Sequence, residues 1–271
     1  MRFEDVGDYF RVRAIATNPW QVVRFRKGHR LGSDLQIAMR RGGPLVLRGG
    51  HADPHMFHRI FLRDEYRLDA LSGERLGTVL DLGANVGLFS VRVSQLAERV
   101  IAYEPFPENY AQLELNVRER PNVETVRAAV SDKSGWLQLY TPQNAGQSGI
   151  YSAYGDKGAA LSGDSVRVPS VRLDELFEKH EIRSCDLLKI DVEGAEYAIL
   201  YAASEATLAR IRSISGEYHD VRADDPSTRI DRFSEHLREA GFCVEIAPHR
   251  KKPNHGTFTA TRTDAERPEA T

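Results

Sequence analysis

The chain is short of cysteine, has no long apolar run, and carries no surplus of either charge. Cys185 and Cys243 are the 2 cysteines in 271 residues, too few for a disulfide framework or a metal cluster, and both read as reduced thiols beside predicted strands. No apolar stretch approaches the ~20 residues that a membrane-spanning helix needs. The formal net charge is −2, which gives no global pull toward nucleic acid or a membrane surface. The opening "MRFEDVGDYFRVR" is charged throughout and lacks the apolar core of a signal peptide, so the expected location is cytoplasmic. What remains is an ordinary globular composition, with a length that favours one large domain over two.

Strand and helix patterns alternate from Thr78 onward. "TVLDLG" reads as a strand and "VGLFSVRVSQLAE" as a helix with Leu88, Val91, Leu96 and Ala97 near one face. "RVIAYEP" is a strand, "PENYAQLELNVRER" a helix opened by Pro107, and "VETVRAAVS" a third strand. "WLQLYTP" and "SVRVPSVRL" are extra strands around a long loop. "LDELFEKHE", "CDLLKIDV", "GAEYAILYAASEATLARI", "SISGEYH" and "DRFSEHLREAG" continue the alternation, with Gly241 as a helix C-cap. "FCVEIAP" and "TFTATR" predict a closing antiparallel hairpin at one edge. Such alternation predicts an α/β, doubly wound sheet over residues 78–262. Residues 1–77, with 10 Lys and Arg before Gly50 and a helix-like "HMFHRIFLRDEYRL", read as an N-terminal cap or substrate lid. Residues 263–271 read as a disordered tail.

"VLDLGANVGLFS" (Val79 to Ser90) carries the first chemical signal. Ligands of open α/β sheets bind at the carboxyl ends of strands, where strand order reverses. Gly83 lets the chain turn, Gly87 permits close approach of backbone and ligand, and the next helix points its N–H groups at the site. The spacing is G-x-x-x-G rather than G-x-G-x-x-G, which disfavours a nicotinamide or flavin pyrophosphate. About twenty residues on, Glu104 follows the second strand, where an acid can accept both hydroxyls of a ribose. Ribose plus an anionic group at the turn describes S-adenosylmethionine as well as NAD, and Phe106 could pack on the adenine.

"VLDLGANVGLFS", "IAYEPFPENYAQLELN", "AAVSDKSG", "SVRLDEL" and "LLKIDVEGAEYAIL" stand in the order found in the FkbM-type methyltransferases, and the chain resembles that family from about Phe57 to Tyr218. The resemblance implies a class I, Rossmann-like seven-stranded sheet and S-adenosylmethionine as cofactor. It also implies O-methylation of a small molecule, a sugar or natural product of a biosynthetic pathway. By similarity, Asp81, Gly83, Asn85 and Gly87 would hold the methionine end, with Glu104 on the ribose, Asp132 near the adenine amine, and Asp191 also among the cofactor-binding residues. "FLRDEY" resembles the family's segment before the first strand, so Tyr66 would cover the methionine part.

Methyl transfer to an alcohol needs an acceptor held within about 3–3.5 Å of the methyl group and a base for its proton. Two strand ends offer candidates: Lys189, Asp191 and Glu193 in "KIDVEG", and Glu217 and His219 in "GEYH". His219 is the preferred base because imidazole titrates near neutrality, with Asp191 or Glu217 to orient it. The plainer reading makes His219 a strand cap, Lys189 a snorkelling strand residue, and Glu196 a helix-dipole acid. Asp191, Glu193 and Glu217 could bind Mg²⁺, but no metal is the preferred reading. The segment "TPQNAGQSGIYSAYGDKGAALSGDS", with Tyr151 and Tyr154, is expected to form a substrate-ordered lid. "HRKKPNH" is a solvated hairpin loop or a contact for a phosphorylated acceptor. A carbon or nitrogen acceptor is the alternative to oxygen. A nucleic-acid substrate is disfavoured by the near-neutral charge and by "DVEG" at the fourth strand end.

Overall fold

The computed structural model describes residues 3–27, 33–142, 161–220, 228–250 and 254–262. Ahead of the main sheet lie α1 (Phe3–Ile15), α2 (Pro19–Lys27), a short antiparallel pair β1 (Leu35–Ile37) and β2 (Leu45–Leu47), and α3 (Asp53–Phe57). The sheet segment begins with β3 (Leu76–Leu82), α4 (Leu88–Val93), β4 (Ala97–Tyr103), α5 (Pro107–Val117) and β5 (Val123–Val126). An insertion follows, made of β6 (Ala129–Val130), β7 (Gly135–Pro142) and β8 (Leu161–Val171), and then α6 (Leu173–Lys179). The rest is β9 (Leu187–Ile190), α7 (Glu196–Ala202), α8 (Glu205–Ala209), β10 (Ser213–His219), α9 (Ile230–Glu239), β11 (Cys243–Pro248) and β12 (His255–Thr261).

The main sheet has 7 strands in the order β11-β12-β10-β9-β3-β4-β5. β3, β4, β5, β9 and β10 pair in parallel, while β12 runs antiparallel to both of its neighbours. The closing hairpin therefore forms as predicted, with β12 inserted beside β10 and β11 left at the edge. Strand order reverses between β3 and β9, and the carboxyl ends of those strands form the crevice where such folds bind ligands.

β3, β4 and β9 are buried along most of their length on both faces, which is why they read as near-continuous apolar runs. Val79, Val100 and Ala102 pack into one cluster, whereas their neighbours Leu80, Ile101 and Tyr103 pack into the other. The first cluster also contains Val12, Ala16, Val22, Ile37, Leu45 and Leu47. The N-terminal segment thus shares its core with one face of the sheet.

Several local expectations are corrected. The helix after the first strand stops at Val93, and Ala97 and Glu98 begin β4. "VETVRAAVS" is two strands, because β6 leaves the main sheet for a 3-stranded one of order β6-β8-β7. "GAEYAILYAASEATLARI" is also broken: Ser204 caps α8 by accepting from the Thr207 amide at 3.2 Å. Gly241 does close α9, at φ +89°. "HMFHRIFLRDEYRL" is not one helix; α3 runs into a π turn at His58–Leu62, and the chain then bends through left-handed Asp64 and Arg67. The first strand begins at Leu76, two residues before Thr78. Most of the expected lid, including Tyr151 and Tyr154, lies outside the described residues, as do the tail 263–271 and residues 251–253 of the basic loop.

Candidate active site

β3 ends in a turn with three left-handed residues, Gly83 (φ +76°), Asn85 (φ +51°) and Gly87 (φ +81°). Each glycine answers a close packing contact. A Cβ on Gly83 would lie 1.9 Å from the Asp191 carbonyl oxygen, so the turn can press against the end of β9 only without a side chain. A Cβ on Gly87 would meet Leu113 of α5 at 2.6 Å. Gly87 does not line the cavity wall. Below the turn, the buried Asp81 accepts from Ser90 Oγ at 2.6 Å and pairs with Lys189 Nζ at 3.1 Å. The same ammonium donates to the Gly83 carbonyl at 2.7 Å. Asp81 and Lys189 therefore form a buried ion pair that fixes the loop from beneath.

A cavity of about 430 Å³ opens at the carboxyl ends of β3, β4, β9 and β10. At one end stands Glu104, whose Oε2 accepts from the Asn85 amide at 2.8 Å and Oε1 from the Phe106 amide at 2.9 Å. Burial pushes its carboxyl pKa up to about 7, against the opposing pull of those two amides and of Lys189. Phe106 lines the wall and packs with Ala129, Leu139 and Val168. Asp132 is not part of the wall; its Oδ1 accepts from Ser131 Oγ at 3.0 Å.

Between the ends, Tyr66 sets its ring edge-on to Phe89 and donates its hydroxyl to Asp191 Oδ2 at 3.1 Å. Burial, and then the Asp191 charge, hold the Tyr66 phenol well above its ordinary range. Asp191 Oδ1 and Asn85 Oδ1 are buried without a hydrogen-bond partner among the described residues. Acceptor atoms left open beside a carboxylate already oriented by backbone amides suit a ligand bearing an ammonium group and ribose hydroxyls, as S-adenosylmethionine does.

The other end gathers charge around His219. Its Nδ1 lies 3.0 Å from Glu196 Oε1, and its Nε2 lies 3.6 Å from Glu193 and 4.0 Å from Glu217. The ring also meets His255 edge-on at 4.9 Å. Burial alone would lower the His219 pKa. The carboxylates of Glu196, then Glu193 and Asp191, overcome that and push it up to about 9. Glu196 is held below the usual carboxylate range, because His219 and the Gly194 amide outweigh its own desolvation. Arg59, from the π turn, pairs with Glu217 and with Glu65 (2.8 Å to the latter).

The structure thus brings Tyr66, Gly83, Asn85, Glu104, Phe106, Lys189, Asp191, Glu193 and His219 to one cavity. It places Asp81 beneath the cavity floor and leaves Gly87 and Asp132 out of the wall. The partner acid of His219 is Glu196, not the expected Asp191 or Glu217. The acids weighed as a Mg²⁺ alternative, Asp191, Glu193 and Glu217, differ from the group that the geometry gathers. Among the described residues, Asp191, Glu196 and His219 bring ligand atoms within 4.8 Å of one another. Sequence reasoning also missed Arg59. A sequence signal for Glu196 did exist, since it falls on the buried stripe of α7 with Tyr197, Ile199 and Leu200. None existed for Arg59, whose partner Glu217 lies 158 residues away.

The sheet order, the antiparallel β12 and the glycine turn facing a strand-end acid are those of a class I, Rossmann-like methyltransferase fold. Residues 81–244 match the Methyltransferase FkbM domain family, and the chain belongs to that family. It is 31% identical over 226 residues to the AMB antimetabolite synthetase AmbE of Pseudomonas aeruginosa, covering 71% of this chain and 11% of that protein. It is 29% identical over 170 residues to the 31-O-demethyl-FK506 methyltransferase FkbM of Streptomyces tacrolimicus, covering 53% and 65% respectively. Similarity to the hexuronic acid methyltransferase AglP of Haloferax volcanii is 27% over 185 residues, covering 68% and 71%. The chain therefore spans less than two thirds of the first two relatives.

Proposed function

We propose that the chain transfers a methyl group from S-adenosylmethionine to a hydroxyl of a small molecule, a sugar or a natural product. The observation that carries this reading is Glu104, a buried carboxylate oriented by the Asn85 and Phe106 amides at the mouth of a glycine turn. Family membership supports the activity, and the names of the two methyltransferase relatives support a sugar or natural-product acceptor.

In this reading Glu104 accepts the two ribose hydroxyls. Asp191 Oδ1 and Asn85 Oδ1 receive the ammonium of the methionine end, and Phe106 packs on the adenine. Tyr66 shields that end and holds Asp191 in orientation. The bound cofactor supplies an electrophilic methyl group on a sulfonium. The chain's own part is to hold the acceptor in line and take its proton at His219 Nε2. With a pKa of about 9 the ring is a cation at neutral pH, so the neutral form that can accept a proton grows as pH rises.

Calorimetry of the purified chain tests the reading. S-adenosylmethionine and S-adenosylhomocysteine should bind, and NADH should not. Binding of NADH with no response to either would overturn it.

A further inference from the structure

We infer that Glu196 is a positioning residue for His219: its buried carboxylate takes the Nδ1–H of the ring and leaves Nε2 turned toward the cavity. The catalytic meaning of this pair rests on the methyl-transfer reading, whereas its geometry stands independently.

Glu196 is fully buried and is not part of the cavity wall, so it touches neither acceptor nor cofactor. One oxygen, Oε1, receives the Val192 amide at 3.2 Å, the Gly194 amide at 3.0 Å and His219 Nδ1 at 3.0 Å. The first two contacts are donors from the backbone, so Oε1 is an acceptor atom, and the charge of His219 is what keeps the carboxylate ionised. The third contact must then also be a donor, which places a hydrogen on Nδ1. The neutral ring therefore carries its lone pair on Nε2. A buried acid behind a histidine fixes tautomer and ring orientation in just this manner.

The turn that supplies the amides is built for the contact. Glu193 and Gly194 are both left-handed (φ +56° and +107°), which folds the chain back from the end of β9 onto the first residue of α7. The groups facing His219 come from every neighbouring element. Asp191, Glu193 and Glu196 come from the β9–α7 segment, Glu217 from β10 itself, and His255 from β12. Glu217 shares its charge with Arg59. Among the described carboxylates, Glu196 alone sits at hydrogen-bond distance from the ring, whereas Glu193 and Glu217 flank Nε2 at 3.6 and 4.0 Å. A proton taken at Nε2 makes an imidazolium beside a carboxylate already in place, and it leaves to water through the cavity.

A purely structural Glu196 would only brace the turn. The two roles separate in an imidazole NMR titration of the full chain labelled with ¹⁵N-histidine, with Glu196→Gln and Glu196→Asp as variants. Wild type should titrate at His219 near pH 9, and its neutral ring should show Nδ1–H. Glu196→Gln, which can still accept from the two amides, should lower that midpoint by about one unit or more, a tenfold loss of proton affinity. Glu196→Asp should restore part of it. An unchanged midpoint in Glu196→Gln, or a neutral wild-type ring protonated at Nε2, would overturn the inference. Should Glu196→Gln not fold, the wild-type tautomer and the Glu196→Asp midpoint decide by themselves. S-adenosylmethionine calorimetry on the same samples keeps the two questions apart: absent binding removes the methyl-transfer reading and leaves the titration result to stand or fall alone.

Discussion

Glu104 and Glu196 are both buried, both accept from two backbone amides, and both stand at the carboxyl edge of the same sheet. Their proton affinities move in opposite directions: Glu104 rises to about 7, while Glu196 falls below the carboxylate range. Two amides do not offset the desolvation of a carboxylate, and a cation at 3 Å does. Around Glu196 the chain supplies that cation itself, as His219. Around Glu104 no cation of the described residues stands as close, and in the methyl-transfer reading the donors it lacks are those that ribose hydroxyls would bring. In that reading one end is complete within the chain, and the other would be completed by its ligand.

The largest effect expected is at the completed end. His219→Ala should reduce methyl-transfer turnover by roughly 10²–10⁴ while leaving cofactor affinity near wild type. Near-full turnover at neutral pH would move the proton to Asp191, Glu193 or water. Lys189 joins the two ends, since it pairs with Asp81 and acts electrostatically on both Glu104 and Asp191. Lys189→Met leaves the Asp81 charge buried without its partner and should cost about 3–5 kcal/mol in urea denaturation. A loss within ordinary surface-mutation range would show that the pair is not what holds the turn.

Glu104→Ala addresses the ligand-completed end. Cofactor affinity should fall by about one to two orders of magnitude, the worth of a charge-assisted hydrogen bond of roughly 1.5–3 kcal/mol. Equal affinity in calorimetry would take the ribose role away from Glu104. A smaller effect is the pH dependence of stability. Both Glu104 and His219 have folded pKa values above their unfolded ones. Glu104 therefore contributes stability that is present below about pH 4.5 and lost as pH rises through about 7. His219 does the same between about 6.5 and about 9. The free protein should melt at a lower temperature at pH 9 than at pH 6. Saturating S-adenosylhomocysteine should raise the melting temperature relatively more at pH 8 than at pH 5, because ribose donors favour the ionised Glu104. A flat profile would break the comparison. The smallest effect expected is from chelation: EDTA should leave turnover unchanged. Loss of turnover restored by Mn²⁺ would instead make Asp191, Glu196 and His219 metal ligands.

The parallel strands and the residues at their ends were legible in the sequence because both signals are local. A strand buried on two faces is apolar along its length, and the polar residue that ends the run stands where the fold places its site. Glu104 after β4 and Asp191 after β9 follow that pattern. Boundaries were less legible. Ala97 extends the apolar periodicity of α4 yet opens β4, and only pairing with β3 decides this. Likewise, Ala129 and Val130 continue β5 in sequence but pair with β8.

By itself, the sequence determined the sheet, the glycine turn, the strand-end acids and the family, since each depends on residues that are neighbours along the chain. Tertiary structure alone decided which acid meets which base. His219 takes Glu196 rather than Asp191 or Glu217 because left-handed Glu193 and Gly194 fold the chain back on itself. Arg59 reaches Glu217 because the π turn carries it over the sheet edge. Periodicity states which face a residue occupies. Contact across 23 or 158 positions depends on how the turns close, and no local pattern encodes that.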